Sequence, residues 1–322
     1  MKVYLLDDRE LEVQANENGE DIAKKISSSL AKQAIAYKLD GEIFDLKHPI
    51  EHEGHFEIIK KGDEESYDVL NHSTSHLMAE AISHLYPNAK FGFGPSIEEG
   101  FYYDVDFGDE KITDADFPKI EKEMKKIASS GKEIVREIVS KEEAKKLFAN
   151  NPYKLELIDG IDGEITIYRQ GDFYDLCAGP HVEKVSQIQH FKLLSVAGAY
   201  WRGNVNNKML TRIYGTSFFT EEELQNHLHD LEERKKRDHR KIGKELGLFM
   251  MSEYGPGLPF FLPNGYAIKR ELENYWIDFH RKHGYLVCET PMMLSKELWE
   301  ISGHWDHYKD DMYITMVDDT PY

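Results

Sequence analysis

Two pairs of side chains with acid–base or metal-binding chemistry recur at the same spacing. His72 and His76 are four residues apart in a segment that predicts a helix over 67–86, so both imidazoles share one face. Cys177 and His181 are also four apart, in a loop-like segment. Three imidazoles and one thiol form the ligand set of a zinc site, but they can also act without metal, as a nucleophile or as water-orienting groups. The spacing favours a functional cleft and leaves both chemistries open.

Structural interpretations compete with each half of this pattern. A lone histidine pair on a helix is more often packing or surface, and His84 shares roughly the same face. The pair lacks the adjacent glutamate of the metalloprotease helix. A buried inert thiol is the usual state of a lone cysteine such as Cys177. The functional hypothesis therefore depends on the two segments meeting in space.

Several neighbouring residues would extend such a site. Asp175 lies in the same loop as the thiol and can orient an imidazole or polarise a water. Lys154 precedes an expected strand over 155–158 and could neutralise a phosphate or an oxyanion. Tyr102 and Tyr103 are adjacent on an aromatic strand, so one of them should face the pocket.

A second aromatic segment could contact nucleic acid. Tyr200 or Trp201 could stack on a base while Arg202 holds a phosphate, although core packing explains Trp201 equally well. Polar residues around the first histidine pair are interpreted as helix caps: Asn71, Ser73 and Thr74.

The elements that must position these residues predict an α+β multidomain chain. Residues 1–62 read as strands, a helix and further strands, with turns at Asp7-Asp8 and Asp40-Gly41, which is typical of a β-grasp-like module. Residues 63–225 alternate helices and strands as one α+β domain.

A charged helix is predicted over 221–246, followed by a third domain. Its sector 234–241 is a candidate polyanion-binding surface or a solvated linker, and six of its residues are basic: Arg234, Lys235, Lys236, Arg237, Arg240 and Lys241. Beyond it, a helix over 264–283 should bury one apolar stripe, and a strand is expected over 285–289. The buried stripe would consist of Ile268, Leu272, Tyr275, Trp276 and Phe279. One strand cannot complete a sheet-based core, which predicts a fragment of a longer protein.

Composition excludes several classes of protein. The chain has 322 residues, 40% hydrophobic content and a net charge of −19, which fits a folded protein and argues against a general DNA-coating role. No apolar run approaches the roughly 18 residues of a membrane span. Two cysteines and an early acidic start, with no secretory signal pattern, favour a cytoplasmic location.

The motifs in this order resemble those of bacterial threonyl-tRNA synthetases. The segments that carry the resemblance are His72-Ser-Thr-Ser-His, Gly100-Phe-Tyr-Tyr-Asp-Val-Asp, Tyr174-Asp-Leu-Cys-Ala-Gly-Pro-His-Val, Gly198-Ala-Tyr-Trp-Arg-Gly-Asn, Arg237-Asp-His-Arg-Lys-Ile-Gly-Lys-Glu-Leu and Gly303-His-Trp-Asp-His-Tyr. The resemblance implies a TGS domain at 1–62, an editing domain at 63–225, a linker helix at 226–242 and, from 243 to 322, the start of a class II antiparallel-sheet catalytic domain. Motif 1 of that domain, which builds the family's homodimer, would be the 264–283 helix, the following strand and Pro291.

The resemblance also implies an activity and its cofactors. The family attaches threonine to tRNA(Thr) with ATP, Mg²⁺ and a catalytic zinc, whose binding residues would lie beyond Tyr322; Cys288 does not match a zinc ligand. Its editing domain hydrolyses seryl-tRNA(Thr) and requires no metal. The residues implied for editing are His72, His76, Cys177, His181, Lys154 and Asp175, with Tyr103 on the terminal nucleotide and Cys177 as a nucleophile in a weaker variant.

Two rival functions remain at this point. A free-standing, zinc-dependent aminoacyl-tRNA deacylase would use the same four ligand-type residues. A TGS-bearing, non-enzymatic RNA-binding regulator would bind tRNA without hydrolysing an ester.

Overall fold

The first 60 residues fold as the predicted β-grasp module. Five strands lie in the order β2-β1-β5-β3-β4, with β1 and β5 parallel and the other neighbours antiparallel. Two helices cross the sheet, and a capping box at Asn18 starts the first of them. The elements are β1 (Lys2–Leu5), β2 (Glu10–Glu12), α1 (Gly19–Ile26), α2 (Ser28–Gln33), β3 (Ala34–Leu39), β4 (Glu42–Asp45) and β5 (Gly54–Lys60).

This computed structural model describes residues 1–7, 9–317 and 320–321. The chain divides into two units, Met1–Glu232 and Glu233–Tyr322, and each is described by itself. The predicted Asp7-Asp8 turn therefore lies partly outside the described residues, because Asp8 is not among them.

The rest of the first unit packs two antiparallel sheets with four helices and the first part of a fifth, α7 (Glu221–Lys236). One sheet has the order β12-β13-β8-β6, with β7 paired to β8, and the other has the order β11-β10-β9. The elements are α3 (Glu64–Leu85), β6 (Lys90–Phe91), β7 (Ser96–Ile97), β8 (Gly100–Asp106), α4 (Phe117–Ala128), β9 (Ile134–Val139), α5 (Lys141–Leu147), α6 (Pro152–Asp159), β10 (Ile165–Gln170), β11 (Phe173–Leu176), β12 (His190–Tyr200) and β13 (Met209–Phe218). Together with the β-grasp module, these elements confirm the predicted α+β class.

Helix α3 is the central element of this unit. From Ser66 to Ile82 nearly every residue is buried, because β8, β13 and α4 surround the helix. Its last helical residue is Leu85, two before Pro87, as expected from the loss of the backbone donor.

The strand expected over 155–158 is wrong, because this segment is helix α6. Asn151 caps the helix by accepting hydrogen bonds from the backbone N–H groups of Tyr153 and Lys154, and Pro152 occupies the first turn. Lys154 therefore projects from a helix start rather than from a hairpin.

The continuous helix expected over 221–246 is also interrupted. Helix α7 spans Glu221–Lys236 and helix α8 spans His239–Glu245. Asp238 lies between them in a non-helical conformation and caps α8 by accepting from the N–H of Arg240 at 2.8 Å. The cap ends one helix and begins the next within the basic sector.

In its described residues, the second unit contains two short antiparallel hairpins and three helices after α8. Its elements after α8 are β14 (Phe249–Met251), β15 (Pro259–Phe261), α9 (Pro263–Lys282), α10 (Lys296–Ile301), α11 (His304–Tyr308), β16 (Met316–Val317) and β17 (Thr320–Pro321). The strand predicted over 285–289 is wrong, because these residues are irregular.

The apolar stripe of α9 is exposed, which contradicts its predicted burial. Leu272 is 65% exposed and Trp276 is 58% exposed, and the other stripe residues, Ile268, Tyr275 and Phe279, are also exposed. In the described part of this unit the sheets are only two-stranded, so they provide too little surface to cover a 20-residue helix. Among the described residues, no helix has both the length and the apolarity to cross a membrane.

Candidate functional site

The structure brings together the four ligand-type side chains from two distant segments. His72 and His76 project from α3, while Cys177 and His181 lie in the loop that follows β11. The Cys177 Sγ lies 3.2 Å from Nε2 of His72 and 3.3 Å from Nε2 of His181. The ring centroids of His72 and His76 each lie 4.3 Å from that of His181. The four side chains form one cluster, which we call the His/Cys cluster.

Burial keeps the His/Cys cluster uncharged at neutral pH. Desolvation lowers the pKa of His72 to about 4 and that of His76 to about 3, and it holds the pKa of His181 well below its usual value. The same effect raises the pKa of the Cys177 thiol to about 12. Neutral imidazoles can donate and accept hydrogen bonds, whereas a neutral thiol is a poor nucleophile.

The cluster geometry also fits a zinc ion. One candidate ligand atom from each of the four residues lies within 4.8 Å of the others. Tetrahedral zinc places its nitrogen and sulfur ligands roughly 3.3–3.7 Å apart, close to the observed separations around Cys177. The second nitrogen of His181, Nδ1, lies 3.1 Å from the Ser73 hydroxyl, the kind of outer contact that orients a metal ligand. His72, Cys177 and His181 could therefore hold zinc if the thiol lost its proton.

A buried ion pair adjoins the His/Cys cluster. Lys154 Nζ lies 2.6 Å from a carboxylate oxygen of Asp175, and the two residues are only 1% and 2% exposed. Lys154 also donates to the Tyr103 hydroxyl at 3.1 Å, and that hydroxyl donates to Asp175. The other Asp175 oxygen lies 3.8 Å from Nε2 of His76. Because buried charges are expensive to desolvate, such a pair beside a polar cluster is typical of a functional site.

The interpretation of Asn71, Ser73 and Thr74 as helix caps is wrong, because α3 begins earlier, at Glu64. Ser73 accepts from the N–H of Val182 at 2.9 Å and thereby ties the helix to the loop of His181. Asn71 and Thr74 instead bond to Ser217 on β13. The sequence feature that could have indicated this linking role of Ser73 is its position next to His72 on a buried helix.

Two further residues near the cluster were not predicted at all. Asp45, at the end of β4 in the β-grasp module, accepts from the backbone N–H of His181 at 2.7 Å. Tyr168 donates its hydroxyl to the same carboxylate, and its ring lies 4.4 Å from the His181 ring. Burial raises the pKa of Asp45 and that of Tyr168.

The second aromatic segment is partly core. Trp201 is 3% exposed and donates Nε1–H to Glu156 at 2.8 Å, which supports packing over base stacking for this ring. Arg202 pairs with the other oxygen of Glu156 at 3.0 Å. Tyr200 remains 43% exposed at the end of β12 and is the accessible aromatic ring of this segment.

The basic sector has carboxylates within it. Lys236 and Arg237 both pair with Glu233, at 2.8 Å and 3.3 Å, and Arg240 pairs with Asp238 at 2.6 Å. The remaining members of the predicted set, Arg234, Lys235 and Lys241, are exposed on the same two helices. The local ion pairs weaken the attraction of this surface for a polyanion.

Comparison with known proteins relates both halves of the first unit to tRNA synthetases. Residues 1–60 match the TGS domain family, and residues 165–214 match the threonyl and alanyl tRNA synthetase second additional domain. Threonine–tRNA ligases of Staphylococcus aureus strains JH9, Newman and JH1 are each 55% identical over 305 residues, which is 94% of this chain and 47% of each relative. The chain spans about half the length of the curated relatives it matches. Cys177 and His181 lie inside the second matched range, whereas His72 and His76 lie before it.

Proposed function

Because the chain belongs to the threonyl-tRNA synthetase family, we propose that the complete protein attaches threonine to tRNA(Thr) with ATP and that residues 63–225 proofread its product. The proofreading reaction is hydrolysis of seryl-tRNA(Thr). In this proposal residues 1–62 are the TGS domain, 226–242 the linker and 243–322 part of the catalytic domain.

The chemistry of serine explains why a second site is needed. Serine keeps the hydroxyl of threonine and lacks one methyl, and one missing methyl changes binding by only about 1–3 kcal/mol. A synthetic site alone cannot reach the fidelity of translation with that difference. A second site that admits serine and excludes threonine by size would remove the error.

The convergence of the His/Cys cluster beside the Lys154–Asp175 pair supports this proposal most strongly. Its neutral imidazoles orient a water molecule by hydrogen bonding, and that water attacks the carbonyl carbon of the seryl ester. The carbon–oxygen bond to the ribose breaks, and the proton of the water passes to the released ribose oxygen. The raised pKa of Cys177 favours a water-orienting thiol over a covalent nucleophile.

Within the ion pair, the Lys154 ammonium supplies positive charge where the ester oxygen becomes negative. Lys154 is the buried cation nearest the His/Cys cluster, and Asp175 fixes it while facing His76. Tyr103 is only 1% exposed, and its hydroxyl contacts both Lys154 and Asp175. We therefore propose that Tyr103 acts on the terminal nucleotide indirectly, by holding Lys154 and Asp175 in place.

The remaining parts of the proposal concern the complete protein. Its partners are tRNA(Thr), threonine and ATP, its cofactors are Mg²⁺ and Zn²⁺ for synthesis, and its location is the cytoplasm. Editing needs no cofactor, and no role with DNA or membranes is proposed. Exposed residues proposed to contact tRNA are Tyr200, Arg202, Arg234, Lys235, Lys236, Arg237, Arg240 and Lys241. A homodimer would form through α9.

The decisive experiment is a deacylation assay on seryl-tRNA(Thr) and threonyl-tRNA(Thr). We expect this chain to hydrolyse the seryl ester and spare the threonyl ester. Cys177→Ala and His76→Ala should each lower the rate at least about 10-fold, because the attacking water loses a partner. His84→Ala is the matched control: His84 lies on the same helix and is exposed, and it contacts Glu123 at 2.9 Å and Glu80 at 3.7 Å but no member of the His/Cys cluster, so its loss should leave turnover unchanged. Equal turnover by Cys177→Ala and the parent chain would remove the cluster from the mechanism.

The deacylation assay, combined with zinc analysis and a tRNA-binding measurement, separates the two rival functions. Stoichiometric zinc by elemental analysis, with activity lost on chelation, would favour the zinc-dependent deacylase, for which the separations around Cys177 are suitable. Full tRNA affinity without hydrolysis of either ester would favour the RNA-binding regulator.

A further inference from the structure

The loop that carries Cys177 and His181 is held from the opposite side by the β-grasp module. Asp45 is the last residue of β4, and its position is fixed by pairing with Ala36 of β3. Its carboxylate receives the backbone N–H of His181 at 2.7 Å and the hydroxyl of Tyr168. One side chain of the β-grasp module therefore fixes His181, a member of the His/Cys cluster, and Tyr168, whose ring lies beside it.

These contacts determine where the His181 ring points. Its Nε2 faces Cys177 at 3.3 Å and its Nδ1 faces the Ser73 hydroxyl at 3.1 Å, so both ring nitrogens are already engaged. Asp45 adds the backbone anchor, and the Tyr168 ring, 4.4 Å away, limits rotation from the other side. A ring held by three elements remains in one orientation, so it fixes the Cys177 thiol that its Nε2 contacts.

Asp45 lines two clefts of about 290 Å³ and 270 Å³. Both clefts are lined by residues of the β-grasp module and by residues between 133 and 183. The neighbouring contacts of Lys47 with Glu133 and Glu183 are long and partly exposed, at 3.4 Å and 3.5 Å. Removing the Asp45 carboxylate therefore breaks its hydrogen bonds to His181 and Tyr168.

We propose that Asp45 is a positioning residue of the hydrolytic site, through which the β-grasp module holds the Cys177–His181 loop in its active arrangement. This inference rests on the proposed editing function for its effect on rate, but the loop geometry can be tested separately. The proposal makes the β-grasp module a structural part of the hydrolytic site in residues 63–225.

Two readouts test the proposal on the whole chain. The first is the single-turnover hydrolysis rate of seryl-tRNA(Thr) at saturating protein, measured together with the half-saturating protein concentration. The second is the alkylation rate of Cys177 by iodoacetamide, in a Cys288→Ser background and with EDTA present. Cys288 must be removed because it is exposed and would react itself.

We expect Asp45→Ala to lower the single-turnover rate roughly 10- to 100-fold with half-saturation unchanged, as for a misplaced catalytic group. Tyr168→Phe should do the same more mildly, because the His181 anchor survives. Both variants should accelerate Cys177 alkylation at least about fivefold, since the loop opens locally. Lys47→Met is the matched control, because it weakens the same module contact without touching His181 or Tyr168, and it should match the parent in both readouts.

The outcomes distinguish a failure of the editing proposal from a failure of the positioning proposal. If the parent chain does not hydrolyse seryl-tRNA(Thr) but Asp45→Ala accelerates alkylation, the editing proposal fails and the positioning role of Asp45 stands. If both Asp45→Ala and Tyr168→Phe react at the Lys47→Met rate, the positioning proposal is wrong whatever the activity. Should Asp45→Ala fail to fold, Tyr168→Phe alone decides the question.

Discussion

His72 and His76 of the His/Cys cluster are weak bases held in fixed orientations. With pKa values of about 4 and 3, His72 and His76 are neutral at physiological pH and are weak proton acceptors. Their value to hydrolysis lies in holding a water at a defined distance from an ester, where correct placement can lower a barrier by several kcal/mol. Lys154 supplies the positive charge that the neutral imidazoles lack.

Burial of neutral histidines predicts acid-sensitive stability. In the unfolded chain these imidazoles titrate near pH 6.5, whereas in the folded chain their pKa is lowered. Below pH 6.5 the unfolded state therefore binds more protons, so the free energy of unfolding falls as pH falls from 6.5 toward 4. Each histidine contributes up to about 1.4 kcal/mol per pH unit in that window.

Urea unfolding between pH 7.5 and 5 in EDTA measures this effect. His76→Gln should flatten the pH slope of the free energy of unfolding by nearly one proton, and His72→Gln should do so similarly. The slope is the readout, because the substitutions also change stability at every pH. Slopes equal to that of the parent chain would show that these histidines titrate alike in both states.

At the scale of elements, local patterns predicted what depends on local physics. The apolar period and Pro87 predicted α3, and the four-residue spacing correctly placed His72 and His76 on one face of it. The start of α6 was also encoded, since Asn151-Pro152 is a cap followed by a first-turn proline, but a short apolar run was read as a strand instead. That error moved Lys154 to the wrong element.

Long-range placement could not be predicted in the same way. The meeting of His72 with Cys177 joins residues 105 positions apart, and no periodicity within either segment specifies it. Asp45 of the β-grasp module contacts His181 across 136 positions, and no sequence motif suggested this contact. The family resemblance supplied the first pairing but gave no indication of the second.

Helix α3 also depends on a buried charge below the cluster. Glu80, one turn after His76, is fully buried and pairs with Lys132 at 2.7 Å. Gln170 on β10 donates to the same carboxylate at 2.7 Å and to the His76 carbonyl at 3.4 Å. This network connects the position of His76 to the neighbouring sheet.

A double-mutant cycle on Glu80 and Lys132 tests that network. Lys132→Met leaves the Glu80 charge buried and should cost about 3 kcal/mol, the lower end for a broken buried pair, because Lys132 is itself partly exposed. Adding Glu80→Gln removes the stranded charge and should recover at least about 1 kcal/mol in urea unfolding at pH 7. Lys126→Met, which breaks only an exposed pair with Glu123, is the control and should cost less than about 1 kcal/mol. Additive effects of the two substitutions would contradict this account.

At the scale of the whole molecule, the first unit buries its apolar residues while the second exposes many of its own. The cores of the first unit contain fully buried residues such as Ile22, Leu70 and Ile213. On α9, by contrast, five apolar residues spaced along one face remain open: Ile268, Leu272, Tyr275, Trp276 and Phe279. Exposed apolar faces of this size are typical of surfaces that pack against further protein.

The exposed face of α9 predicts self-association of the chain. A symmetric pair places the same surface of both copies in contact, so one helix face is enough to form an interface. We expect the chain to sediment as a dimer at micromolar concentration and Leu272→Glu with Trp276→Glu to shift it to a monomer, because each copy would then bury unpaired charge. Arg281→Glu on the opposite face of the same helix changes charge without entering the apolar face and should leave the dimer intact. Sedimentation equilibrium over a range of concentrations measures the state directly, and a parent chain that stays monomeric throughout would contradict an interface at α9.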